Sequence, residues 1–447
     1  MTRDQRIQDA IHGIIDFHPE IPAEKTAWKL LQSPDFQRLR RITQLGEVEF
    51  VFPSATHSRF AHSIGVFHCA RKLVERIRRE ITIRNVGGDF DQHRADTAIL
   101  AALLHDIGHG PFSHTFEHAR EDIAEKRNKP FRSHEDFSAQ MITSGNISDI
   151  LKEDGFDPDE IAKIIRAKPP NDMYHAIVSG TFDADRLDYM MRDRYMTGVG
   201  EARFDTDWIM DNIRVAHTPT GHILCLAHKA LTAAEEFLLA RYYLHKDIYF
   251  HKTARAMQSL LRAFFYQLAL ELENNGAVDG LDSHHPLVRF LSDDTLDSYR
   301  RLDDAIVWGT LHALSSRNDS GTSTSLSQLS RSILERKVPS CLDITRLITS
   351  ATEQINFKSS MDEHFGKRIG ETIFFDVSPI SLYDEVGSDA KAQHESLKFQ
   401  LPKSNRDLRE ITELPESIIK NLNLITRLER YYFLEKGEYE TAKAMMP

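Results

Sequence analysis

The sequence predicts a mainly α-helical fold with a small C-terminal α+β lobe, and three observations predict it. Between Ser63 and Ile83, the residues Phe67, Ala70, Leu73, Val74, Ile77 and Ile81 recur at helical spacing, while Arg71, Lys72, Glu75, Arg78 and Arg79 fill the other face. In DTAILAALLHDIGHG the stretch Ala98 to Leu104 is apolar on every side, the mark of a helix buried all round. Strand-like runs gather late, in GETIFFDVSPISLY and SLKFQLP, beyond a Ser/Thr-rich stretch at 315–330 that reads as a surface loop or domain boundary. A helical domain over residues 1–320 and an α+β lobe over 321–447 are therefore expected.

Taken in order, AIHGIIDFHPE is β-branched around a glycine and predicts a short hairpin or extended arm. SPDFQRLRRITQLG reads as one helix, with Ser33 as N-cap, Pro34 at the first helical position and Gly46 at its end. The amphipathic helix comes next. The buried helix follows, with Asp96 as its expected cap and Gly108, Gly110 and Pro111 as the turn beyond it. Helices are expected near 134–144, 159–166, 183–194 and 205–212, and HILCLAH as a strand. Two long helices follow over 228–246 and 251–273, the second closed by Asn275-Gly276. After the late strands, LPESIIKNLNLITRLERYYFLEKG reads as a closing helix, and no internal repeat is present.

Composition narrows the function. The chain has 447 residues, 41% of them hydrophobic, enough for a substantial core without metal or disulfide staples. Its formal net charge of -11 argues against a surface built for non-specific nucleic-acid binding, yet leaves room for a local basic pocket. The three cysteines, Cys69, Cys225 and Cys341, are far apart and form no CxxC pair, as expected in a reducing compartment. With no apolar signal region at the N-terminus and no run of eighteen apolar residues, a soluble, cytoplasmic protein without membrane segments is expected.

Chemistry concentrates in LLHDIGHGPFSHTFEH, residues 103–118, which holds four histidines and two carboxylates. His105 and Asp106 stand at the end of the buried helix and can reach one ion in front of it, although an isolated His-Asp pair is usually only surface or cap. Further ligands must come from remote segments. His62 in SRFAHSIG and Asp183, Asp185 or Asp188 in TFDADRLDYMMRD are the candidates. A mixed imidazole and carboxylate set suits Mn, Fe, Zn or Ni, and four protein ligands leave positions open on a six-coordinate ion. A second group, His109, His114, Glu117 and His134, offers a histidine able to donate a proton and a carboxylate-histidine pair. The blander reading is that these residues only fix the ligand geometry. His118 reads as surface.

The ordered set SRFAHS, LLHDIGHGPFSHTFEH, SHEDFS and FDADRLDYMMRD resembles the HD-domain phosphohydrolases. More narrowly, it resembles the deoxynucleoside triphosphate triphosphohydrolases, the animal enzyme with sterile-alpha-motif and HD domains and its bacterial relatives. The likeness runs from about Asp9 to Lys252 and weakens beyond. It implies an HD-domain helical core and a divalent metal (Mn, Fe, Mg, Zn or Ni) on His62, His105, Asp106 and Asp185, so choosing Asp185 among the three aspartates. It implies His114 as general acid to the leaving 5′-oxygen, His134 and Glu117 as its supporting pair, and His109 beside the α-phosphate. Arg59, Arg186 and Arg241 match phosphate contacts. Tyr189, Asp193 and Gln44 match sugar contacts, the last two near the 3′-hydroxyl. Tyr249 matches the tyrosine that packs on the deoxyribose, and His245 lies near the base.

There are departures. Arg186 stands where the animal enzyme has lysine, exchanging a point charge for a planar fork. Glu117 stands where aspartate is commoner. Gln32, where the animal enzyme reads an activating guanine with aspartate, and the segment around Gln5 and Arg6 argue against guanine activation of that type and leave a different nucleotide activator, or none. The resemblance implies hydrolysis of a nucleoside triphosphate substrate to deoxynucleoside and inorganic triphosphate, in a homo-oligomer (tetramer or hexamer). Two rivals remain: an HD-superfamily nuclease or phosphohydrolase acting on ATP or a signalling nucleotide, which leaves a nucleic-acid partner open, and a non-catalytic nucleotide sensor.

Overall fold

Spacing around Phe67 and Ala70 yields one continuous helix, Arg59–Arg84, and the rest of the core is laid along it. The structure is a computed structural model that describes residues 3–447 apart from 85, 87–88, 167–171, 201–202, 220, 318–324, 384–396, 402–406 and 423–425. The long helix packs against helices Gln92–Leu104 and Ala184–Thr197 and against strand β3, Ile213–Thr218. Every residue from Ala95 to Leu104 is buried, as an all-apolar helix requires. That helix starts earlier than Asp96. Asp91 is the N-cap, its carboxylate accepting from the Arg94 amide at 3.0 Å, while Asp96 is buried inside the helix and accepts from Gln92. The cap lies outside the apolar run because three polar residues, Gln92 to Arg94, form the exposed first turn.

The N-terminal segment is a hairpin, β1 (Gln5–Asp9) paired with β2 (Gly13–Phe17). The segment 33–46 is not one helix. Ser33 caps a helix Pro34–Arg38, a 3-10 turn Leu39–Arg41 follows, and Ile42 is already extended. Thr43 explains the break: its amide and hydroxyl both donate to Asp304, at 2.8 and 2.7 Å, and no helical continuation could hold those bonds. Helices His134–Thr143, Pro158–Arg166, Thr206–Asn212 and Lys252–Asn275 fall where the periodicity puts them, and Gly276 ends the last in a left-handed cap. HILCLAH forms most of β4, Gly221–Ala227. Helix Leu231–Leu244 runs into a π-helical turn, His245–Tyr249.

Beyond residue 320 the chain serves two cores. Leu382, Tyr383, Leu397, Phe399, Ile411 and Leu414 join the large helical core, and β7 (Lys398–Gln400) adds in parallel to β4, with β8 (Leu408–Glu410) outside it. A smaller core gathers Leu342, Ile344, Phe357, Met361, Ile373, Tyr431 and Phe433. It is roofed by a sheet of β5 (Ser340–Asp343), β6 (Ile373–Ile380) and β9 (Thr426–Phe433), with β9 in the middle. The expected closing helix is therefore largely a strand. Among the described residues of that segment, Ile419–Leu422 alone is helical before the strand. Leu-Glu-Arg-Tyr-Tyr-Phe carries spacing compatible with either period, and its aromatic residues fit a central strand, where Tyr431 packs on Phe375 and Phe357. Of the Ser/Thr-rich stretch, 318–324 lies outside the described residues, and from Leu326 the chain is helical. Among the described residues no helix is long and apolar enough to cross a membrane.

The cap position gives a test. Asp91→Ala should cost about 1 kcal/mol of stability, read as a lower urea midpoint at unchanged slope.

Candidate metal centre and active-site cavity

Three helices meet at His62. It lies in the first turn of Arg59–Arg84 and its ring is wholly buried. From the facing helix Ala184–Thr197, Asp185 and Asp188 sit three residues apart on one face and clasp the ring from both ends. Asp188 Oδ2 is 2.8 Å from Nδ1, and Asp185 Oδ1 is 3.0 Å from Nε2. Asp183 is not part of this clasp: it is the N-cap, accepting from the Arg186 amide at 2.7 Å. Burial pushes the Asp183 carboxyl up to about 7, whereas Asp185 is held far below the carboxylate range because its two histidine neighbours outweigh burial.

His105 comes at the end of the buried helix. Its Nδ1 lies 2.8 Å from the Ala102 carbonyl, an acceptor, so Nδ1 carries a proton and Nε2 is the nitrogen left to face a ligand. His62 is fixed the same way, because Asp188 can only accept at Nδ1. Both Nε2 atoms are buried and without a hydrogen-bond partner, and both face Asp185. The ligand atoms of His62, His105 and Asp185 lie within 4.8 Å of one another. Asp106 stands at the edge: Oδ1 is 3.2 Å from His105 Nε2, Oδ2 is 3.7 Å from His62 Nε2, and Oδ2 also takes a hydrogen bond from Arg59. Adjacent ligands on an ion with bonds near 2.1 Å lie about 3 Å apart. Two orphaned imidazole nitrogens and two carboxylates at this spacing fit a divalent cation. The local field is negative: against the cost of burial, Asp185 and Asp188 lift the His62 ring to about 10, so a cation at Nε2 would take the place of a proton there.

The second histidine group adjoins the first through a strained turn. Phe112 and Ser113 both take left-handed backbone, at φ 50° and 54°. The Phe112 amide is held by Asp304 at 2.8 Å, and Ser113 Oγ donates to the Thr43 carbonyl and accepts from Arg59 Nε. Helix His114–Lys126 starts from this turn. Glu117 on it joins three donors: His114 Nδ1 at 3.1 Å, His134 Nδ1 at 2.9 Å and the His134 amide at 2.8 Å. Burial works against the charge, but the hydrogen bonds from His114 and His134 keep Glu117 ionised. Gly108 lets the first turn of His134–Thr143 come this close, since a Cβ there would meet Ser138 N at 2.2 Å and His134 O at 2.3 Å. The nitrogens of His109, His114 and His134 also lie within 4.8 Å of one another. They do not form a second ligand set: the His109 and His134 rings are stacked, 4.0 Å apart and 18° from parallel, so no nearby ion lies in both ring planes. Burial and Arg59 hold His109 neutral.

One cavity of about 1000 Å³ collects these groups. Its lining includes Gln44, Arg59, His105, Asp106, His109, His114, His134, Asp185, Arg186, Tyr189, Asp193, His245 and Tyr249. Glu117 and His62 lie behind that wall. Arg241 is not among the lining residues and acts on Tyr189 through its charge. Tyr249 Oη donates to Asp193 Oδ2 at 2.7 Å, and His57 meets Oδ1 of the same carboxylate at 2.9 Å. His118 is half-buried in the wall rather than on open surface, and burial pushes its ring down to about 4. Sequence reasoning missed His57 and, behind His62, Arg192, His12 and Asp9; it offered Asp188 as a candidate ligand, not as the partner of the far side of the ring. His57, two residues before Arg59, was within reach of the SRFAHS motif, whereas His12 comes from a distant segment that no local pattern links to the site.

The sequence pattern of the HD domain matches residues 59–192, and that of the HD associated region matches 204–306. Among relatives, the uncharacterized Bacillus subtilis protein YwfO is 30% identical over 342 residues, covering 76% of this chain and 72% of its own length. The Bos taurus deoxynucleoside triphosphate triphosphohydrolase SAMHD1 is 29% identical over 299 residues, which are 61% of this chain and 49% of that protein. The chain thus spans about half of that relative. The crystal structure of a phosphohydrolase from Bacteroides thetaiotaomicron superposes with a TM-score of 0.74 at 23% identity, over 97% of this chain and 100% of that one, and shares the fold.

Two outcomes test the packing. A Cβ on Gly65 would lie 1.8 Å from Asp188 Oδ1 and 2.5 Å from Arg192 Nη2, both buried. Gly65→Ala should therefore destabilise by 1–3 kcal/mol or more, roughly the cost of overpacking, with thermal denaturation as the measurement. Glu47 lines the cavity and burial raises its carboxyl to about 8, from 4.5 when unfolded. The folded state then binds the extra proton between those values, so the native protein loses stability as pH rises through them and levels off above. Glu47→Gln lacks this loss. Its stability relative to wild type should climb by up to about 1.4 kcal/mol per pH unit across that window, measured by urea titration at several pH values.

Proposed function

The chain belongs to the HD-domain phosphohydrolase family, and from that premise we propose that it hydrolyses deoxynucleoside triphosphates to deoxynucleoside and inorganic triphosphate. One observation carries the reading: buried, unpartnered Nε2 atoms of His62 and His105 converge with Asp185 and Asp106 beside a cavity large enough for a nucleotide. His62, His105, Asp106 and Asp185 would hold a divalent cation. Bound there, it supplies Lewis acidity toward water and a phosphoryl oxygen.

The chain's own residues supply the rest. Arg59, already fixed by Ser113 and Asp106, and Arg186 present positive charge to a polyphosphate in a protein that is acidic overall. Neutral His109 offers a ring nitrogen beside them without adding charge. Water attacks the α-phosphorus and the bond to the 5′-oxygen breaks. His114 gives that oxygen a proton from Nε2, while Glu117 accepts at Nδ1 and stabilises the imidazolium that donates. His134, tied to the same carboxylate, keeps Glu117 from turning away. Asp193 and Tyr249, bonded to each other, form a wall suited to a sugar edge, with Gln44, Tyr189 and His245 on the same cavity. The similarity to a triphosphohydrolase supports the deoxynucleotide substrate.

The test is a product assay. Purified protein with Mn²⁺ or Mg²⁺ is incubated with each dNTP and NTP, singly and mixed, and products are separated by ion-pair chromatography. Deoxynucleoside plus triphosphate is expected. Asp106→Ala should abolish it, and His114→Ala should lower kcat by roughly 10²–10⁴-fold. Nucleoside monophosphate with pyrophosphate, or turnover of single-stranded DNA in place of any triphosphate, would overturn the reading.

A further inference from the structure

Behind His62, on the side away from the cavity, lies a closed group of charges that the proposed reaction does not use. Asp188 receives four hydrogen bonds: from His62 Nδ1 at 2.8 Å, from Arg192 Nε and Nη2 at 2.8 and 2.9 Å, and from His12 Nε2 at 2.7 Å. Arg192 is in turn gripped by Asp9, at 2.9 and 3.2 Å. Asp9 Oδ1 also accepts from the amides of Ile11 and His12, which shapes the hairpin tip. All these side chains are at least nine-tenths buried. Two of them, Asp9 and His12, come from the N-terminal hairpin, which also packs on the Arg59–Arg84 helix through Phe17 stacked on Phe67 and through Arg71, which donates to the Asp16 carbonyl.

We infer that Asp188, Arg192, His12 and Asp9 are positioning residues for the cation site, and that docking of the N-terminal hairpin sets its affinity. The inference rests on the cation reading of His62 but on no assumption about the substrate. Asp188 saturates Nδ1 of His62, so Nε2 is a lone pair with a fixed direction. With four donors on its two oxygens, Asp188 cannot rotate, and His12 is the donor that the hairpin contributes. Asp188, accepting at Nδ1, also makes the imidazole a better donor to a cation in front of it. A network needed only for folding would stabilise the chain equally with and without the cation. A positioning network must do more: if hairpin docking tightens cation binding, the cation must tighten hairpin docking by the same factor.

Two measurements on the full chain, stripped of metal by chelation, test this with Mn²⁺ as the probe. Calorimetric titration should show binding in wild type, its loss in Asp185→Ala, about tenfold weaker binding in His12→Ala, and near-normal binding in His12→Gln, whose amide can still donate to Asp188. Hydrogen exchange in wild type, which needs no variant to fold, should slow in residues 5–17 when Mn²⁺ saturates. A folded His12→Ala with unchanged Mn²⁺ affinity would overturn the inference and leave the cation reading standing, as would hairpin exchange indifferent to Mn²⁺. Wild type that binds no Mn²⁺ would overturn both.

Discussion

Asp188 is the contact on which the rest of the structure depends. Its carboxylate is buried on a helix that the Arg59–Arg84 helix must approach closely, and Gly65 is the residue that permits the approach. A buried ion pair is weak evidence for stability, since desolvating two charges offsets most of what their attraction returns. An apolar replacement of similar volume would hold the helices together at least as well. What an apolar side chain could not do is accept a hydrogen bond from Nδ1 of His62, hold Arg192, and receive His12 from another element. The network therefore determines orientation more than stability, and its orientation is read out at a single atom, Nε2 of His62.

From that atom outward, the cavity divides into two chemistries that would interfere if they mixed. Carboxylates surround the unpartnered Nε2 atoms of His62 and His105, a place for a cation. His114 and His134 share one ionised carboxylate, Glu117, the place of the proposed proton transfer. Arg59 and His109 lie between. Arg59 hydrogen-bonds Asp106 and so balances the ligand cluster, and its charge, together with burial, keeps His109 neutral. The face-to-face stacking of His109 on His134 excludes joint ligation of one ion by these two rings.

Much of this was legible in the sequence because it rests on local patterns. Apolar spacing located the helices around Phe67 and Leu100. The turn glycines after His105 located the end of the buried helix, and the cluster 103–118 pointed to the chemistry. Spacing alone left Asp183, Asp185 and Asp188 equivalent. The structure separates them by a simple fact of helix geometry: the first is the cap outside the helix, and the other two share a face. What the sequence did not show was long-range. Thr43 breaks a helix because it is bonded to Asp304, some 260 residues on. The strand Thr426–Phe433 is a strand because two others flank it, and Asp188, which orients the ring of His62, is itself held by His12 from 176 residues earlier in the chain.

The turn at Phe112 and Ser113 shows how these long-range contacts reach the site. Two successive non-glycine residues in left-handed backbone cost of order 1–3 kcal/mol each, and no helix-forming tendency of the flanking residues repays that. Asp304 and Thr43 hold the turn, and Arg59 completes it through Ser113. Arg59 is also the residue that hydrogen-bonds Asp106. The backbone between Asp106 and His114 is thus clamped at both ends by one guanidinium, so the distance from the ligand cluster to the proton donor is set by the fold rather than by a mobile loop. Misplacing a reacting group by about 1 Å can cost 10²-fold in rate. A strained turn held by three partners is a reasonable way to avoid it, and it explains why the chain turns sharply here instead of continuing as helix.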